Sequence, residues 1–397
     1  MRFWLGGYTA DMSGHAAGIG VLLAGEPAAQ SPRGALTFAG TAVHAESPSW
    51  LVAHPTLDVV YATLEERGAV QAFRRTGEDT LTPFGGPVST GYATCHAAVA
   101  PGAGTLVTAA YGDGTITRVS LAADGSLQGA TALSSTTDPY SFEAANPPAS
   151  LAASAANGAI DLSAAAAALR EAAGPEFAHL VPDYDNPEPV ETLPVVEDPN
   201  ARVSRGHHTT FVAGGLFATT DLGFDLVRIW RGDIEIQQVA LPKGSGPRHA
   251  VWHPSGHLYV VTEYSGEVYG LAPDREGMWR IVTAVPVSRE ISFGVDFPAE
   301  ISMTADGLFL HVTVRGSNTI ATIAVRDGGA RLDSLALVES GVDWPRHHVL
   351  VGDTILVAGQ RSDEVVSFSI DPRSGVVGQL LHRAPAPTPT ALVPIFD

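Results

Sequence analysis

One cysteine, Cys95, occurs in 397 residues, which excludes an intramolecular disulfide framework and suits a reducing compartment. Positive charge is also scarce, with 23 Lys and Arg against 42 Asp and Glu and a formal net charge of −19. Nonspecific attraction to nucleic acid or anionic lipid rests on clustered Lys and Arg, so neither a nucleic acid nor a membrane is an expected partner. No apolar run approaches the roughly 18 residues of a membrane helix, and the opening MRFWLGGYTAD turns polar too soon for a secretion signal. A cytoplasmic location is the resulting expectation. Several catalytic signatures are missing too. There is no Gly-x-Ser-x-Gly elbow and no His-Glu-x-x-His pair, and Gly244-Ser245-Gly246 precedes a strand pattern instead of the helix a dinucleotide loop requires.

What the chain does contain is 45% hydrophobic and only 16% charged residues, with 42 glycines and 28 prolines. That balance fits a large buried β core joined by many tight turns. Pro247-Arg248-His249 runs into AVWHP, Pro345-Arg346-His347 into HVLV, Pro298-Ala299-Glu300 into ISMT, Pro48-Ser49-Trp50 into LVAHP, and Thr94-Cys95-His96 into AAVAP. The phrase returns about every 45–50 residues, a period that predicts a β-propeller with one four-stranded antiparallel blade per repeat. A further repeat begins near Gly206, and the N-terminus enters one strand late, with RFWLGGYT as the second strand of a blade. Its missing first strand is supplied by Pro389-Thr390-Ala391 and LVPIF. The expected fold is therefore all-β: a single domain over residues 1–397 with seven blades, closed by the C-terminal strand joining the N-terminal blade.

The stretch from about 136 to 205 breaks the period. It holds one helix pattern near 162–173, with Asp161 as N-cap, an alanine run and Gly174-Pro175 as its stop. A structureless loop of this length is unusual in a compact domain, so it reads either as a tolerated surface insertion or as a lid or homo-oligomer contact. Its carboxylates Asp183, Asp185 and Glu188 lack the spacing of a calcium loop.

The first and second strands of a blade are antiparallel neighbours, so the start of one and the end of the other meet at the same end of the central channel. The residues aligned with His249 are Ala391, Trp50, His96, His208, Glu300 and His347; those aligned with Glu263 are Tyr8, Glu65, Tyr111, Asp221, Arg315 and Gln360. Arg248, Arg346 and His207 stand just before the first ring. A lone histidine at a strand start usually bonds a nearby turn, whereas four around one axis converge on a common space. Tyr8 and Tyr111 either plug the channel or touch a ligand. Glu65, Asp221 and Glu263 either pair structurally with Arg248, Arg315 or Arg346 or take part in chemistry. Asp221 is the weakest of these, because Asp-Leu-Gly before Asp225 also reads as a turn. One histidine or carboxylate from each of several blades is not a diagnostic metal spacing, so neither a metal nor a cofactor is expected.

The phrases GGYT at 6–9, PSWLVAHP at 48–55, TTDLGFD at 219–225, GSGPRHAVWHPSGHLYVVTE at 244–263, PAEISMTADGLFLHVTVRGSNTI at 298–320 and PRHHVL at 345–350 resemble the seven-bladed propeller lactonases. That family includes 6-phosphogluconolactonase and the carboxymuconate lactonizing cycloisomerase. The resemblance implies hydrolysis of a sugar-acid lactone, 6-phosphogluconolactone or a related aldonolactone, at the channel mouth. Its alternatives are cycloisomerase chemistry and a propeller that only binds ligands or proteins. It implies catalytic roles for His208, Arg248 and Glu263, with Arg315 as an anion-binding residue. The usual Pro-His-Ala-His phrase is here Arg205-Gly206-His207-His208, so the catalytic histidine falls on His207 or His208, and alignment with the other blades favours His208. For such a reaction Arg248 or Arg315 steadies the oxyanion, Glu263 or His208 takes the water's proton, and Arg346 and Arg205 hold the substrate's anion. His96, Tyr111, Glu65, His249, Glu300 and His347 complete the expected substrate contacts.

Overall fold

Short runs rich in Val, Ile, Thr and aromatic residues, bounded by Gly, Pro and Asp, form seven antiparallel sheets in the computed structural model, which describes residues 1–26, 31–141, 171 and 201–395. Each sheet is a four-stranded blade, and the second blade carries a short extra strand, Val88–Ser89, beside Ala69–Arg75. Second strands such as Val59–Leu64, Phe309–Arg315 and Thr354–Gly359 are buried along their whole length, because neighbouring blades cover both faces. Outer strands such as Leu36–His44 and Ile234–Ala240 have fewer buried positions, set among exposed and half-buried ones.

The seven innermost strands are Pro389–Ile395, Pro48–Ala53, Thr94–Val99, Gly206–Val212, Pro247–His253, Phe297–Met303 and Pro345–Val351. In that order each touches the next, and the last touches the first, so they ring the axis. The core lies between blades. Ile229 and Val227 meet Leu258 and Val260, Tyr259 and Val261 meet Leu310 and Val312, and Phe3 and Leu5 meet Leu356 and Val365. Each such apolar side chain contributes about 1.5–3 kcal/mol on burial.

The N-terminal blade is completed by the other end of the chain, with Leu5 opposite Leu392 and Phe3 opposite Pro394. Truncation before Pro389 should therefore leave Arg2–Gly7 as an unpaired inner edge and expose the core under Leu392. The expected outcome is loss of the cooperative melt and aggregation during size-exclusion chromatography; a truncated chain that melts like the full one would contradict this closure.

The chain divides into two compact units, 1–137 with 203–397, and 138–202. In the second, Arg202 Nη1 lies 3.4 Å from Asp138 Oδ1 and its guanidinium packs on Tyr140. The helix expected near 162–173 falls, Glu171 apart, outside the described residues. Among those residues no helix is long and apolar enough to cross a membrane.

Candidate active site at the channel mouth

Each innermost strand carries an irregularity at the same place. Pro48 pairs with Leu64 and Trp50 with Thr63, which leaves Ser49 unmatched. Cys95, His207, Arg346 and Thr390 are skipped in the same way, and the register also jumps across Arg248-His249 and Ala299-Glu300. A bulge re-aims the side chains beside it, so two successive residues per blade face the axis where regular alternation allows one. The next strand holds the bulge in place: Thr63 Oγ1 accepts Trp50 N–H at 3.1 Å, and Thr313 Oγ1 accepts Glu300 N–H at 3.3 Å.

These bulges assemble a layer of rings across the channel. His96 and His208 have centroids 4.1 Å apart, His208 and His249 4.6 Å, Trp50 and His96 4.4 Å, Trp50 and His347 5.2 Å, and His207 and His249 5.1 Å. Two tautomers follow from backbone donors. Thr209 N–H reaches His96 Nδ1 at 3.2 Å and Leu392 N–H reaches His347 Nδ1 at 3.3 Å, which puts the ring proton on Nε2 in both. His347 Nε2 and His249 Nδ1 flank one carboxylate oxygen, Glu300 Oε2, at 3.5 and 3.0 Å. Burial dominates the titration of this layer. It pushes His96, His207 and His249 well below the ordinary imidazole range, and Arg248 adds to this in all three. Burial, partly opposed by Glu300 and reinforced by Arg248, brings His208 to about 4. Burial also raises Glu300, against the pull of His347 and His208.

Above the rings lies a charged layer. Glu263 Oε2 is 2.7 Å from Arg315 Nη2 and 3.1 Å from Arg248 Nε. Burial would raise that carboxyl, but Arg315 and Arg248 outweigh it and hold Glu263 below its usual range. Burial and the neighbouring Arg315 lower Arg248 to about 10, so it stays charged at neutral pH. Tyr8 donates its hydroxyl to Glu65 at 3.1 Å, and Arg346 packs over the Tyr8 ring while bonding Gln360 at 3.4 Å. Arg205 stacks on Tyr111. Among the described residues neither Arg205 nor Arg346 forms an ion pair.

His96, His208, His249, Glu300 and His347 of the first expected ring thus come together, and Tyr8, Glu65, Glu263 and Arg315 of the second lie beside Arg248 and Arg346, which precede the first ring. Of the two parts weighed for Glu263, the geometry displays the pairing one: its carboxylate meets Arg248 from its own blade and Arg315 from the next. Asp221 is spent on the backbone, accepting N–H groups of Arg205 and Phe224 at 2.9 Å each and the Ser204 hydroxyl. Asp225 likewise holds Gly244 N–H at 2.8 Å and Gly246 N–H at 2.7 Å, shaping the loop into Pro247. Gly246 has φ +65°, and a Cβ there would sit 2.6 Å from the Tyr264 ring, so the glycine is required. Ser49, Cys95 and Thr390 were not named as site residues from sequence, yet they line a small cavity with His207, Arg248 and His249. Their place one residue before the first ring is the signal that would have found them. Burial pushes the Cys95 thiol up to about 12, so it is no thiolate nucleophile. Among the described residues no group of three His, Cys, Asp or Glu is placed to hold a metal ion.

Residues 2–147 and 187–394 match the family described as lactonase, 7-bladed β-propeller. A 6-phosphogluconolactonase of Sodalis glossinidius is 31% identical over 145 residues, 36% of this chain and 44% of that relative. An uncharacterized protein of Lactococcus lactis is 27% identical over 206 residues, 50% of this chain and 60% of the relative, so the chain spans about half the length of the curated relatives it matches. The periplasmic gluconolactonase of Pseudomonas aeruginosa shares the fold at a TM-score of 0.74, with 22% identity over 98% of both chains.

Proposed function

The chain belongs to the seven-bladed β-propeller lactonase family, and from that premise we propose that it hydrolyses a sugar-acid lactone at the ringed channel mouth. The observation that carries the reading is a set of buried guanidiniums gathered on one opening of a chain whose net charge is −19. Arg205 and Arg346, lacking ion-pair partners among the described residues and backed by Tyr111 and Tyr8, suit a carboxylate or phosphate on the substrate. Arg248 and Arg315 suit the charge that develops on the lactone carbonyl, and Glu263 keeps both in place. The sugar-lactone names of the Sodalis and Pseudomonas proteins support 6-phosphogluconolactone or a related aldonolactone as the substrate.

Specificity for the anion tests this reading. Arg346→Gln removes a charged donor, a change of about 1.5–3 kcal/mol, and should raise KM roughly ten- to a hundredfold for the phosphorylated lactone. KM for the neutral lactone should hardly move, and Arg205→Gln should act in the same sense. Equal losses on charged and neutral lactones would remove these arginines from anion recognition.

A further inference from the structure

Hydrolysis needs a proton acceptor beside the oxyanion donors, and Glu263, held between two guanidiniums, is poorly suited to it. We infer that His249 is this acceptor, oriented by Glu300 as a positioning residue, and that His208 is not; the inference rests on the lactone-hydrolysis reading. His249 Nδ1 lies 3.0 Å from Glu300 Oε2, while Glu300 Oε1 accepts Ile301 N–H at 3.1 Å, so the carboxylate is itself fixed. His347, whose proton is on Nε2, approaches the same Oε2 from the other side at 3.5 Å. The Glu300 carboxylate 3.0 Å from Nδ1 favours the proton on that nitrogen, which leaves the His249 lone pair on Nε2, the tautomer a general base requires. In the free protein the two atoms are close but form no hydrogen bond, and catalytic hydrogen bonds often tighten only when substrate binds.

Position separates the two histidines. His249 follows Arg248 directly in the chain, and the strand irregularity there turns both toward the axis. Both line the small cavity with His207, Arg346 and Cys95, whereas His208 does not. Nδ1 of both histidines is buried without a hydrogen bond among the described residues, but His249 Nδ1 has Glu300 Oε2 at 3.0 Å, whereas among those residues no carboxylate comes within ion-pair range of His208. Burial, and then Arg248, keeps His249 neutral at pH 7 and therefore able to accept a proton.

Water oxygen bonds to the carbonyl carbon as its proton passes to His249 Nε2, and the carbonyl π pair moves onto the oxygen facing Arg248. When that pair returns, the ring C–O bond breaks with its electrons on the ring oxygen. That oxygen takes the proton back from His249 Nε2, leaving a hydroxy acid and a neutral imidazole.

His249→Gln, His208→Gln and Glu300→Gln should be compared by proton release from 6-phosphogluconolactone, with thermal melts confirming that each folds and His249→Asn or His208→Asn replacing the glutamine variant of the same residue where that one does not. His249→Gln should lower kcat about 10²–10⁴-fold with KM near wild type, and His208→Gln should cost far less. Glu300→Gln should lower kcat about tenfold or more at unchanged KM, with Glu300→Asp restoring part of it, a pattern that loss of packing alone would not produce. If His249→Gln keeps kcat within about threefold while His208→Gln loses it, the inference falls and the lactonase reading stands. If the wild-type protein does not accelerate any lactone, both fall.

Discussion

Replacing Arg248 by glutamine is expected to lower kcat for the lactone about 10²–10³-fold, the cost of removing one preorganised oxyanion donor, roughly 3–4 kcal/mol of barrier. Arg248 is 2% exposed, and its charge acts where little water competes. The substitution should be tolerated by the fold. Glu263 would still keep Arg315 at 2.7 Å, so no buried carboxylate is stranded. Lysine should serve less well than arginine, since it keeps the charge but lacks the planar fork that meets Glu263 and the oxyanion together. Steady-state kinetics beside a thermal melt measures both halves of the expectation. A folded Arg248→Gln protein with kcat within about threefold of wild type would take Arg248 out of the chemistry.

Acidification should destabilise the protein steeply between about pH 6.5 and 4. His96, His207, His208, His249 and His347 in the channel, and the buried His311 and His348, all have pKa values lowered in the fold, burial being the largest cause for each. Once unfolded they take up protons below roughly pH 6.5, so the unfolded chain binds more protons and gains on the native state as pH falls. Stability is full above that pH and is lost toward the folded values. For His208, at about 4, the difference of roughly 2.5 units corresponds to about 3 kcal/mol by pH 4. Glu263, lowered in the fold, adds a loss in the same direction at lower pH, while Glu300, raised in the fold, opposes the trend. Urea unfolding midpoints from pH 7.5 to 4 would show it. A flat profile would mean that these imidazoles are not buried and neutral.

The architecture was legible because the repeat is written in short phrases. Pro247-Arg248-His249 and Pro345-Arg346-His347 mark equivalent strand starts, and Pro389-Thr390-Ala391 betrays the strand that closes the ring. The layering of His96, His208, His249 and His347 followed from the same alignment. The bulge was not legible: one extra residue per strand leaves the apolar pattern nearly unchanged, and only the pairing shows Ser49, Cys95 and Thr390 turned out of register. Roles were less legible than places. In a linear sequence Glu263 reads equally as a base or as an arginine's partner, and only the approach of Arg248 from its own blade and Arg315 from the next shows the ion pairs. Glu300 looks like one carboxylate in a ring, yet its two imidazole neighbours come from strands 51 and 47 residues away on either side (300 − 249 and 347 − 300).

The most direct measurement is proton release by the purified protein on a panel of aldonolactones with and without a 6-phosphate, read against spontaneous opening. Acceleration favouring the phosphorylated lactone, and lost with Arg248→Gln, is the predicted result. Opening no faster than the spontaneous rate for every lactone, by a protein that melts cooperatively, would contradict lactone hydrolysis at this mouth.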